Sequence, residues 1–146
     1  MAAPALKKKI LVVDDEATVL KSIKITIEHH LPDYIVDVAR NGFDAIEIFS
    51  QKRHNLVIMD ISMPVLDGIK SQYEIQTMCE NRDWPIPDFI FCTGYLPSEE
   101  VHRLLRENPS CSLIMKPVLP QMLIAQIKQR LSPEKREAQA RALADL

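Results

Sequence analysis

Ile10-Leu11-Val12-Val13-Asp14-Asp15 is an apolar run of four residues, three of them β-branched, stopped abruptly by two carboxylates. Its length suits a strand, and its unbroken apolar character is that of a strand covered on both faces. Leu56-Val57-Ile58-Met59-Asp60 repeats the pattern, again closing on an aspartate. Phe89 to Cys92 closes on Thr93-Gly94, and Leu113 to Met115 on Lys116-Pro117. Tyr34 to Ala39 alternates like a strand, with Asp37 turned to one face.

Between these runs the period changes from two to that of a helix. Glu16 to His30 carries Val19, Leu20, Ile23 and Ile27, and Phe43 to Gln51 carries Phe43, Ile46 and Phe49 after the turn Asn41-Gly42. Gly68 to Cys79 reads as a third helix, and Pro97 to Glu107 as a fourth, opened by acids that suit its N-terminal dipole. A fifth begins near Pro120, and Asn81 to Pro87 reads as a turn because its two prolines oppose a helix. Five strands alternating with five helices predict an α/β fold with a doubly wound parallel sheet.

The 146 residues fit one domain, and 47% hydrophobic residues supply a core. We expect a domain over 1–131 and a charged, Ala-rich tail over 132–146, read as a solvated helix, a linker or the start of a coiled coil. No apolar run is long enough to span a bilayer, and the N-terminus lacks the features of a secretory signal. A net charge of -2 offers no general attraction for nucleic acid or membrane, so neither is expected as a direct partner. Cys79, Cys92 and Cys111 follow neither a disulfide nor a zinc pattern; they read as buried thiols in a reducing, cytoplasmic setting. His29, His30, His54 and His102 lack ligand spacing and are expected at the surface, with Trp84 packed in its loop.

In open α/β sheets, ligands sit beyond the carboxyl ends of the strands. Asp14, Asp15, Asp60, Thr93 and Lys116 all stand at such ends, on four otherwise apolar strands. Crowded carboxylates repel unless a cation joins them, and Mg²⁺ prefers such hard oxygen donors. One carboxylate is then a nucleophile toward phosphorus, while an ammonium and a hydroxyl meet the charge on the phosphoryl oxygens.

Four pieces together resemble the receiver domain of two-component response regulators: Ile10 to Glu16, Met59-Asp60-Ile61-Ser62-Met63-Pro64-Val65-Leu66-Asp67-Gly68, Phe91-Cys92-Thr93-Gly94, and Met115-Lys116-Pro117. The resemblance covers about Lys8 to Leu131. It implies strand order 2-1-3-4-5, and a phosphoryl group taken up by Asp60 from a sensor histidine kinase or phosphotransfer protein. It also implies roles for Thr93 and Lys116 in that chemistry. Mg²⁺ would be held by Asp14 (partly through water), Asp15, Asp60 and the carbonyl of Ser62. The Lys116-Pro117 bond would be cis. Output would pass through helix 4, strand 5 and helix 5 to a downstream partner, an output domain or a second copy. One departure stands out: Leu113 occupies the position where the family's switch usually has an aromatic ring. Ser62 and Tyr95 occupy positions that in the family flank the path of attacking water.

Other readings fit less well. Aspartyl phosphohydrolases resemble a pattern with two aspartates one residue apart after the first strand, whereas Asp14 and Asp15 are adjacent. The three glycines, Gly42, Gly68 and Gly94, form no phosphate loop. A receiver-like module that binds a partner without phosphorylation is disfavoured by the full set of five polar groups. Asp67-Gly68 reads as a tight turn, and Lys7-Lys8-Lys9 as a solvated strand entrance. The chain is either a stand-alone receiver or the N-terminal part of a longer regulator; the short tail has no room for a helix-turn-helix.

Overall fold

A computed structural model describes residues 7–63 and 66–132. The expected tail lies outside the described residues except for Ser132. The elements alternate throughout: β1 (Lys9–Val13), α1 (Ala17–His30), β2 (Ile35–Ala39), α2 (Gly42–Lys52), β3 (Leu56–Asp60), α3 (Gly68–Arg82), β4 (Asp88–Thr93), α4 (Glu99–Glu107), β5 (Cys111–Met115) and α5 (Pro120–Leu131). All strand pairs are parallel, in the order β2-β1-β3-β4-β5. This is the doubly wound sheet that the alternation and the resemblance imply.

Alternate residues of each central strand face opposite layers. Ile10, Val12, Leu56, Ile58, Ile90 and Ile114 pack with Leu20, Ile23 and Ile27 of α1 and Leu123, Ile124 and Ile127 of α5. Leu11, Val13, Val57, Met59, Phe89 and Phe91 pack with Ala45 and Phe49 of α2 and Ile75 and Cys79 of α3. Two-sided burial is why these strands are apolar at nearly every position. Leu113 is half-buried against the second cluster.

Three helices open on a side-chain cap. Asn41, Asp67 and Ser98 accept from the backbone N–H of Asp44, Lys70 and Val101, respectively. The third helix is longer than its sequence suggests. It runs to Arg82 and stops at Asp83, whose left-handed backbone (φ 55°) returns an N–H to Cys79 O. The prolines at 85 and 87 act only after that stop, so the turn begins at Asp83 rather than Asn81. The fifth strand begins at Cys111, two residues before the apolar run, because Cys111 and Ser112 already pair with Phe89 and Ile90 of β4; the Ser112 hydroxyl is satisfied by Gln126 Oε1 at 3.1 Å.

One expectation about a single residue needs correction, and another gains detail. His54 is buried, 2% exposed, with Nε2 2.7 Å from Asp37 Oδ2. Asp37, half-buried in β2, supplies the partner that lets an imidazole enter the interior. Trp84 does pack in its loop, but through charge: the guanidinium carbons of Arg53 and Arg82 each lie 5.0 Å from its ring centre. All three cysteines are free and buried.

Candidate functional site

A parallel sheet delivers the carboxyl ends of its strands to one edge, and here that edge is polar. Register places Asp60, the last residue of β3, beside Cys92, and Thr93, the last of β4, beside Met115. Asp14 follows β1, and Lys116 follows β5. The Lys116-Pro117 peptide is cis, as the resemblance implies.

Carboxylate oxygens of Asp14, Asp15 and Asp60 all come within 4.8 Å of one another. Lys116 Nζ reaches between two of them, 3.1 Å from Asp14 Oδ2 and 3.4 Å from Asp60 Oδ2. Asp14 and Asp60 are 2% and 5% exposed, so water does little to screen them. Each also fixes local backbone: Asp14 Oδ1 accepts from Glu16 N at 2.9 Å, and Asp60 Oδ1 from Ser62 N at 3.2 Å.

Burial pushes the pKa of Asp60 up, and the charge of Asp14 adds to the rise; Lys116 and the Ser62 N–H offset only part of it. For Lys116, burial alone would lower the pKa. The hydrogen bond to Asp14 and the charges of Asp60 and Asp14 outweigh that, holding the ammonium above its ordinary value. The Cys92 thiol beside Asp60 is pushed up to about 12 by burial, so it is no nucleophile at neutral pH.

Three carboxylates against one ammonium leave the cluster with surplus negative charge and hard oxygen donors. That donor set fits a divalent cation of the Mg²⁺ type, whose charge would offset both the burial and the Asp14 repulsion that raise the Asp60 pKa.

The sequence-predicted residues do not all meet in the same way. Asp14, Asp15, Asp60 and Lys116 form the cluster. Thr93 is buried at the same edge, but its hydroxyl is occupied by the next loop: it accepts from Tyr95 N at 3.1 Å and donates to Tyr95 O at 3.3 Å. Ser62 is exposed and joins through its backbone, and Tyr95 is exposed at the rim. Arg40 was not anticipated: its Nη2 donates to Asp15 O at 3.3 Å, and nothing local in the sequence marks it.

Asp67-Gly68 leads into the third helix, as its sequence suggests. Asp67 caps α3 and Gly68 is its first residue, with Gly68 N donating to Ile61 O at 3.0 Å. A groove beside Lys116 is lined by Thr18, Val19, Ser22, Ile23, Pro117 and Val118.

The family described as "Response regulator receiver domain" matches residues 10–128. "Transcriptional regulatory protein ResD" of Bacillus subtilis is 32% identical over 124 residues, covering 84% of this chain and 48% of ResD. "Histidine kinase 5" of Arabidopsis thaliana is 37% identical over 81 residues, covering 53% of this chain and 8% of the kinase. This chain thus spans about half or less of the length of these relatives. A CheY-like response regulator receiver domain protein from Methanospirillum hungatei superposes with TM-score 0.72 at 28% identity, over 90% of this chain and 99% of that one.

Proposed function

The chain belongs to the response regulator receiver domain family of two-component signalling, and from that premise we propose that Asp60 is its phosphoryl acceptor, with Mg²⁺ as cofactor. The observation that carries this reading is the Asp14, Asp15, Asp60 and Lys116 cluster at one edge of the sheet. An Asp60 oxygen attacks phosphorus as the P–N bond to a donor histidine, or the P–O bond of acetyl phosphate, breaks. The bonding pair leaves with the imidazole, which takes up a proton, or with acetate. Lys116, already 3.4 Å from Asp60 Oδ2, meets the added negative charge. Asp14, Asp15, Asp60 and the Ser62 carbonyl would hold Mg²⁺, which when bound would add positive charge beside the phosphoryl oxygens.

Thr93 supplies a hydroxyl to the same oxygens, at the cost of its two bonds to Tyr95. That exchange passes the signal into the loop before α4, a route that does not require an aromatic ring at Leu113. The partners on this reading are a histidine kinase or phosphotransfer protein, approaching over the groove beside Lys116, and a downstream protein or second copy at α4, β5 and α5. The domain acts as a signalling switch in the cytoplasm rather than an enzyme, without direct contact to nucleic acid or membrane. Among the described residues, no helix is long and apolar enough to cross a membrane.

The test is incubation with acetyl phosphate and Mg²⁺ followed by intact mass. A Mg²⁺-dependent phosphoryl adduct on the wild type, absent from Asp60→Asn, is expected; no adduct on the wild type refutes the reading. The 48% coverage of ResD favours a second, compatible reading: a receiver, 1–131, in a longer regulator with an output domain after residue 146. The coding sequence beyond Leu146 decides it.

A further inference from the structure

The three glycines differ in what a side chain would meet. A Cβ on Gly94 would find nothing within 4 Å. On Gly42 it would run into the Ser71 hydroxyl and come within 2.8 Å of Leu66 O. On Gly68 it would lie 2.5 Å from Asp60 O, 3.0 Å from Ile61 Cα and 3.2 Å from Asp60 C. Every one of those atoms is backbone, which cannot rotate aside. No described glycine has a positive φ, so Gly68 is required for space rather than for an unusual backbone.

The first turn of α3 thus sits directly on the peptide of Asp60. Around that contact the loop is pinned at several points. Ile61 O accepts from both Met63 N, at 3.2 Å, and Gly68 N, at 3.0 Å. Ser62 N is tied to Asp60 Oδ1, and the Met63 side chain is 7% exposed in the second core cluster. On the far side Ser71 Oγ donates to Asp67 O at 2.8 Å, bracing the helix start.

We propose that Gly68 is a positioning residue for the phosphorylation site: by omitting a side chain it lets α3 seat on Asp60, and that seat sets the direction of the Asp60 carboxylate and the Ser62 carbonyl toward the metal. The inference rests on the proposed roles of Asp60 and Mg²⁺. Two sites that share one arrangement are reciprocally coupled. If the seat orients the metal ligands, bound metal must in turn hold the seat closed.

Two measurements test this. Calorimetry with Mg²⁺ alone should give Gly68→Ala a dissociation constant at least tenfold weaker than wild type. Its uptake of phosphoryl from acetyl phosphate at saturating Mg²⁺ should also be at least tenfold slower. Gly94→Ala should stay within twofold on both. A Gly68→Ala protein that melts lower but keeps Mg²⁺ affinity and uptake within twofold overturns the proposal, since glycine would then serve the fold alone.

The second measurement uses the wild type and survives a variant that fails to fold. With Mg²⁺ at ten times its dissociation constant, hydrogen exchange of the Gly68 amide should slow by about tenfold. The Asn108 amide, bonded to Leu104 O at the opposite end of the sheet, should change less than twofold. Unchanged exchange at Gly68 overturns the proposal. Absence of any Mg²⁺ binding to wild type is a different failure, that of the phosphorylation reading itself.

Discussion

Asp60→Asn should stabilise the metal-free protein while abolishing phosphoryl uptake. Two unit negative charges at 4.8 Å, the upper limit of the carboxylate spacing in the cluster, repel by about 3.5 kcal/mol at an effective dielectric of about 20. The ion pair with Lys116 at 3.4 Å returns about 5 kcal/mol on the same basis. With Asp14 and Asp15 on one side and Lys116 on the other, ionised Asp60 is left about 2 kcal/mol worse off. Desolvation at 5% exposure adds to that, whereas solvent around half-buried Asp15 reduces it. Asparagine keeps an oxygen for Ser62 N and leaves Lys116 with Asp14.

The expected gain is about 1–2 kcal/mol, or roughly 3–8 °C in Tm for a domain of this size. Thermal unfolding followed by circular dichroism in EDTA near pH 7.5 measures it. The folded pKa of Asp60 lies above its unfolded value, so the wild-type penalty is complete above the folded pKa. It vanishes as pH falls to the ordinary carboxylate range, and the advantage of asparagine should shrink with it. Saturating Mg²⁺ should reverse the order, because the wild type gains binding energy that the variant lacks. An Asp60→Asn protein no more stable than wild type in EDTA would refute the claim of surplus charge.

The other expectations concern residues away from the site. Arg53→Ala and Arg82→Ala should each cost about 0.5–1 kcal/mol through the lost contact with Trp84, read as a lower urea midpoint and a changed Trp84 emission; no change in either variant would leave the contact without weight. His54 is held below its ordinary pKa by burial, partly offset by Asp37, so the fold favours the neutral ring. Its contribution to stability should be present above the unfolded value near 6.5 and be lost as pH falls through that value toward the folded one. His54→Gln should flatten that part of the stability–pH curve, and an unchanged slope would remove the assignment.

Much of this protein is decided locally. A strand buried on both faces must be apolar throughout, so β1, β3 and β4 are legible without knowing their neighbours. Their closing residues, Asp14, Asp60 and Thr93, are legible too, because a polar group closing such a run marks where the apolar layers end, although all three stay buried. Parallel order then brings Asp14, Asp60 and Lys116 to one edge, and residue type alone marks that edge as the candidate site.

Distances between backbones are another matter. That Gly68 rests on the peptide of Asp60 depends on how α3 docks against the end of β3, and no spacing in the chain encodes 2.5 Å. The Thr93 hydroxyl turns to Tyr95 rather than to Asp60 because the loop before α4 offers it both a donor and an acceptor. His54, between α2 and β3, enters the interior because the neighbouring layout supplies Asp37, seventeen residues earlier and on β2. Local chemistry chose which groups reach the edge of the sheet; the packing of helices against strands decided which of them touch.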